Sequence, residues 1–153
     1  MSLDCNTANG RRYINYQHLC LQSFCTEKNV SFVPTVDTSE ADVDAVLWRK
    51  HIVGVAEVKT RNMTFTELSR FGSYLITYAK LTKLCSVAKA LHCPGLLIVY
   101  LIPDNRIIWW KICDKTGDFL FNPKIERTET QATCNGGTAI RYNAYLPLSL
   151  IQC

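Results

Sequence analysis

The chain has 153 residues, 48% of them hydrophobic and 20% charged, with five prolines and seven glycines. That is the size and balance of one folded domain with a sizeable core, and it excludes a disordered, collagenous or low-complexity chain. Seventeen Lys and Arg against thirteen Asp and Glu leave a formal net charge of +4, a mild excess compatible with phosphate-rich partners.

The first element read from the pattern is a helix from Arg11 to Lys28. Ile14, His18, Leu21 and Cys25 fall at steps of four, three and four, and Tyr13, Leu19, Cys20 and Phe24 widen the stripe. Asn29 closes it. Val30 to Val36 is a short β-branched and aromatic run whose Pro34 suits an edge strand. Asp37 to Glu40 reads as a polar turn.

Val43 to Trp48 and Ile52 to Val58 follow as two apolar runs around Arg49-Lys50-His51, the spacing of an antiparallel hairpin. Gly54 marks a bulge or close packing. Leu68, Phe71, Leu75, Tyr78, Leu81, Leu84, Val87, Ala88 and Leu91 then recur at helical steps. They predict one long helix from Thr66, its expected cap, to Leu91, stopped by Pro94-Gly95. Leu96 to Ile102 and Arg106 to Cys113 are two further strands, joined by Pro103-Asp104-Asn105, that extend the first sheet. In the tail, Cys134 to Thr138 reads as a turn and Ala139 to Leu148 as a strand. The expected fold is α/β, with helices packed on a central mixed β-sheet.

No apolar run approaches the roughly 18 to 20 residues that cross a bilayer, so no membrane partner is expected. Met1 to Asn6 has neither the basic segment nor the apolar stretch of a secretory signal, and the expected location is the cytoplasm. The eight cysteines contain no C-x-x-C pair, and with three histidines they make no zinc spacing. They are expected to be reduced core residues, with a few exposed thiols.

Chemistry concentrates in Val53-Gly54-Val55-Ala56-Glu57-Val58-Lys59-Thr60-Arg61. Charged side chains inside a run of core residues cost free energy unless they are paired or used. Glu57 and Lys59, two apart, face the same side of a strand. On the preceding strand Asp42 and Asp44 are expected to share one face, opposite Val43 and Ala45, and the hairpin brings one of them to Glu57. Two carboxylates about 4 Å apart repel, and a divalent cation with oxygen ligands relieves the repulsion. Magnesium fits best, with the Val58 carbonyl as a third ligand. Lys59 beside it stabilises charge on a transferring phosphate.

Asp44-Ala45-Val46-Leu47-Trp48, a basic turn, then Ala56-Glu57-Val58-Lys59-Thr60-Arg61 closely resembles the PD-(D/E)xK nuclease superfamily. That superfamily includes archaeal Holliday-junction resolvases, restriction endonucleases and many phage-encoded nucleases. The resemblance covers a core from about residue 11 to 113, leaving 114–153 as a C-terminal extension of the same domain. It implies a restriction-endonuclease-like core and maps the family's first acid and E-x-K onto Asp44, Glu57 and Lys59. Asp42-Val43, with no proline, precedes Asp44, so Asp42 stays open as an alternative ligand.

The same resemblance implies an auxiliary polar residue on the first helix, where Gln17 is the nearest candidate, and another on the later helix, where Lys80 stands. Lys80 also reads simply as part of that helix's wet face. Arg61, just past the strand, is placed to meet a DNA phosphate.

The implied activity is metal-dependent DNA endonuclease cleavage with Mg2+ or Mn2+, leaving 5′-phosphate and 3′-hydroxyl ends. Symmetric cutting of two strands asks for a homodimer. A compact, stand-alone nuclease domain points to a phage or mobile element, and so to a host cytoplasm. Two other classes stand beside this reading: a nuclease-like DNA-binding or assembly module without chemistry, and a viral structural or interaction protein whose hairpin charges are surface ion pairs.

Overall fold

The structure is a computed structural model that describes residues 8–35, 41–129 and 140–152. The predicted turns at Asp37 to Glu40 and Cys134 to Thr138 lie outside these residues. Helix α1 spans Ala8–Lys28 and is followed by β1 (Ser31–Pro34), β2 (Ala45–Trp48) and β3 (Ile52–Arg61). Then come α2 (Phe65–Phe71), β4 (Ser73–Thr77), α3 (Tyr78–Leu91), β5 (Gly95–Leu101), β6 (Arg106–Cys113), β7 (Lys124–Glu129), β8 (Ile140–Pro147) and a short 3-10 turn, Leu148–Leu150. The fold is α/β, with a mixed five-stranded sheet flanked by helices.

The five-stranded sheet has the order β1-β2-β3-β5-β6. The first three strands are antiparallel neighbours, β3 and β5 run parallel with Glu57 opposite Leu97, and β6 returns antiparallel to β5. A parallel pair needs a crossover, and α3 supplies it. The two predicted hairpins are therefore present, and the second extends the sheet of the first. β1, with Pro34, is an edge strand as expected.

Gly54 shows both of its expected roles. The ladder slips beside it, Leu47 pairing with Gly54 and Trp48 with Ile52. A Cβ there would stand 3.4 Å from the Pro94 carbonyl.

Each face of the sheet has its own core. Cys20, Leu21, Phe24 and Cys25 of α1 cover Ala45, Leu47, Ala56, Val58 and Ile98. On the other face Leu81, Leu84, Cys85 and Ala88 of α3 pack with Val55, Leu97, Val99, Leu101 and Trp110. The adjacent tryptophans divide accordingly: Trp109 meets Phe24 edge-on and Trp110 lies against Tyr74. Cys20, Cys25, Cys85, Cys93 and Cys113 are free and buried, as expected of core thiols.

The long predicted helix is instead α2, a strand and α3. Thr64, not Thr66, caps α2: its hydroxyl accepts from the Glu67 amide while Glu67 accepts from the Thr64 amide, a capping box. Gly72 ends α2 in the left-handed region at φ 72°. Ser73–Thr77 then runs extended, burying Tyr74 and Ile76 and exposing Leu75. The helical spacing of Leu75 was a coincidence of position.

β4 belongs to a second, three-stranded sheet of order β4-β8-β7. The strand predicted from Ala139 to Leu148 is β8, and β7 had no prediction. Tyr74, Ile76, Ala144 and Leu146 of this sheet share the core under α3, which ties residues 140–147 into the molecule.

Candidate active site

β3 is the middle strand of five, and its period-two alternation sends Ala56 and Val58 into the α1 core. Glu57 therefore points to the α3 face, where it is 1% exposed. Among the described residues it is the buried carboxylate, with Thr60 and Asn143 the other buried polar groups. Lys59 Nζ lies 2.5 Å from Glu57 Oε1, confirming that the two side chains share a face. Lys80 Nζ, from the first turn of α3, stands 3.8 Å from the same oxygen. Both lysines thus meet Oε1, and Glu57 Oε2 is left without a partner.

Burial pushes the Glu57 carboxyl above its ordinary range and outweighs Lys59, which pulls it down. The charge of Asp44 pushes the same way as burial, and Lys80 opposes it. Asp44 thus lies within electrostatic reach of Glu57.

Asp44 stands immediately before β2. Its amide donates to the Ala56 carbonyl at 2.9 Å, although Ala56 already sits opposite Ala45. The ladder ends in that bend, and a side chain takes the place of the missing strand: Asp44 Oδ2 accepts the Val58 amide at 2.6 Å. From α1, Gln17 Nε2 donates to the Val58 carbonyl at 3.2 Å. Asp44, Val58 and Gln17 form one hydrogen-bonded set, and Glu57, Lys59 and Lys80 form an ionic one beside it.

The expected alternation before β2 is not what the chain adopts. Val43 packs in the α3-side core and Ala45 in the α1-side core, so they do not share a face opposite Asp42 and Asp44. The bend at Asp44 breaks the period of two. Asp42 pairs instead with Lys83 of α3 at 3.1 Å, with both side chains about half exposed. Such a pair contributes about 0 to 1 kcal/mol.

Arg61 lies two residues beyond Lys59. Its guanidinium donates to the Thr60 carbonyl at 3.0 Å and sits 5.4 Å from the centre of the Tyr74 ring. Tyr74 is the residue that the sequence reading missed, because it was assigned to a helix. The signal was present in Ser73-Tyr74-Leu75-Ile76-Thr77, a β-forming run directly after Gly72.

Among the described residues no three His, Cys, Asp or Glu side chains group to hold a metal. The candidate ligands are the Asp44 and Glu57 carboxylates and the Val58 carbonyl, of which Asp44 Oδ2 accepts the Val58 amide and the carbonyl accepts from Gln17. These are hard oxygen ligands, suited to Mg2+ or Mn2+ and leaving further positions for water or phosphate. Glu57 fits such an ion on a specific observation: its buried Oε2 has no partner, and a cation would satisfy it.

No helix among the described residues is long and apolar enough to cross a membrane. The sequence matches neither a protein-family model nor a curated protein.

Proposed function

We propose that the protein is a metal-dependent DNA endonuclease with a restriction-endonuclease-like, PD-(D/E)xK-type core. The observation that carries this reading is the buried Glu57 carboxylate, held 2.5 Å from Lys59 on the same strand face, with its Oε2 atom unpartnered. A pair of surface charges, as in a purely structural protein, would lie in water. Glu57 is 1% exposed.

In this reading Asp44, Glu57 and the Val58 carbonyl hold Mg2+ or Mn2+. When bound, the ion polarises the phosphate and lowers the pKa of its water. Gln17 steadies the Val58 carbonyl, and the Val58 amide fixes Asp44. Water adds to phosphorus, the P–O3′ bond breaks, and 5′-phosphate and 3′-hydroxyl ends remain. Lys59 brings positive charge to the phosphate as its negative charge grows, and Lys80 adds a second. Arg61 meets an adjacent phosphate of the strand, and a second copy of the chain would serve a second strand.

The test is nicking of supercoiled plasmid and of branched DNA by purified protein with Mg2+ or Mn2+. Lys59→Ala and Glu57→Ala are expected to lose activity by about 100-fold or more while remaining folded. Undiminished nicking by both variants rejects the assignment.

A further inference from the structure

Tyr74 is a core aromatic with a polar atom that the core does not satisfy. It is 2% exposed, and its hydroxyl has no hydrogen-bond partner. An unmet buried hydroxyl costs about 1 to 3 kcal/mol, so a phenylalanine would serve plain packing better. The ring itself is well held, 5.4 Å from Trp110 between centroids and 5.4 Å from the Arg61 guanidinium.

Its position over the sheet is informative. Glu57, Lys59 and Arg61 project from one face of β3 at steps of roughly 6 to 7 Å, and Tyr74 of the second sheet lies against the end of that row. Burial raises its hydroxyl to about 12, with Arg61 pulling it down and Glu57 pushing it up, so both charges reach it. Glu57 Oε2 and the Tyr74 hydroxyl, neither with a hydrogen-bond partner, both lie on the α3 side of the sheet, and α3, which follows β4 directly, brings Lys80 to 3.8 Å from Glu57.

We propose that Tyr74 is a positioning residue of the Glu57 site, its buried hydroxyl donating a hydrogen bond into the ligand shell that Glu57 holds while its ring orients Arg61. This rests on the nuclease reading above and adds to it a residue on a different sheet. Partners of metal ligands of this kind are worth about 10- to 100-fold in affinity or activity.

The experiment compares wild type, Tyr74→Phe, Glu57→Ala and, as a control, Tyr100→Phe, whose hydroxyl donates to Asn105 in the β5–β6 turn. Each is measured by Mn2+ calorimetry, thermal melting and steady-state DNA cleavage. Tyr74→Phe should melt at or above the wild-type temperature, bind Mn2+ about tenfold more weakly and lose kcat with little change in KM, while Tyr100→Phe keeps its Mn2+ affinity. If Tyr74→Phe binds and cuts like wild type while Glu57→Ala loses both, Tyr74 is a packing residue and only this proposal is overturned. If wild type neither binds Mn2+ nor cuts DNA, the nuclease reading falls and takes the role of Tyr74 with it.

Discussion

Asp44 holds the amide of Val58 at 2.6 Å, so one carboxylate both finishes a β-ladder and stands at the candidate site. Structure and chemistry are separable there by substitution. Asp44→Ala leaves the Val58 amide without its partner and should cost about 1 to 3 kcal/mol in denaturant unfolding. Asp44→Asn keeps an acceptor oxygen, should unfold within about 0.5 kcal/mol of wild type, and should still lose Mn2+ binding by calorimetry.

Asp42 provides the matching contrast. Its partner is the exposed Lys83, away from the Val58 amide. Asp42→Ala should change stability by less than about 1 kcal/mol and leave Mn2+ affinity unaltered. Loss of Mn2+ binding in this variant, with retention in Asp44→Asn, would transfer the ligand role to Asp42.

Glu57 sets a pH dependence of definite sign. Its carboxyl is raised in the folded protein, chiefly by burial, so folding favours the protonated form. Its stabilising contribution is complete below the unfolded carboxylate pKa of about 4.3 and is lost as pH rises through the higher folded value. Metal-free protein should therefore lose melting temperature over that window. Glu57→Gln should remove that decline and melt higher than wild type at neutral pH. A wild-type curve parallel to that of Glu57→Gln would contradict the burial of the charge.

Gly72 tests the break between α2 and β4. Its φ is 72°, and a Cβ there would meet nothing within 4 Å, so substitution strains only the backbone. Gly72→Ala should cost about 1 to 2 kcal/mol in urea unfolding, and Gly72→Asn less. No loss with alanine would argue for a continuous helix, as the spacing from Leu68 to Leu91 first implied.

The thiols of α1 should be inert in the native state. Burial raises Cys20 to about 12 and Cys25 to about 11, leaving almost no thiolate at pH 8. Iodoacetamide labelling followed by peptide mapping should find both unmodified until denaturant is added. Rapid labelling of Cys20 without denaturant would mean that α1 detaches from the sheet.

Much of this arrangement was legible in local pattern. The α1 stripe, the two hairpins and the pairing of Glu57 with Lys59 follow from periods of 3.6 and 2, which need no knowledge of distant chain. What was hidden depends on partners far along the sequence. Ser73–Thr77 becomes a strand because β8, about seventy residues later, lies beside it, pairing Tyr74 with Leu146. The helical spacing of Leu75 and Tyr78 concealed this, although Gly72 and the T-x-x-E of Thr64 to Glu67 carried the local signs of a short, separately capped helix. The orientation of Asp44 was equally out of reach, because a bend that ends a ladder has no period. β7, with its alternating charges, offered too little hydrophobic contrast to stand out.

The middle place of β3 also governs how the molecule breathes. β2 stops opposite Ala56, but β5 runs beside β3 as far as Arg61, with α1 beneath and α3 above, and Asp44 closes the open side at the Val58 amide. Hydrogen exchange there should proceed only through cooperative opening of the whole sheet, at the slowest rates in the chain, while β1 and β7 exchange early. The Glu57–Lys59 pair would then keep its shape for as long as the protein stays folded.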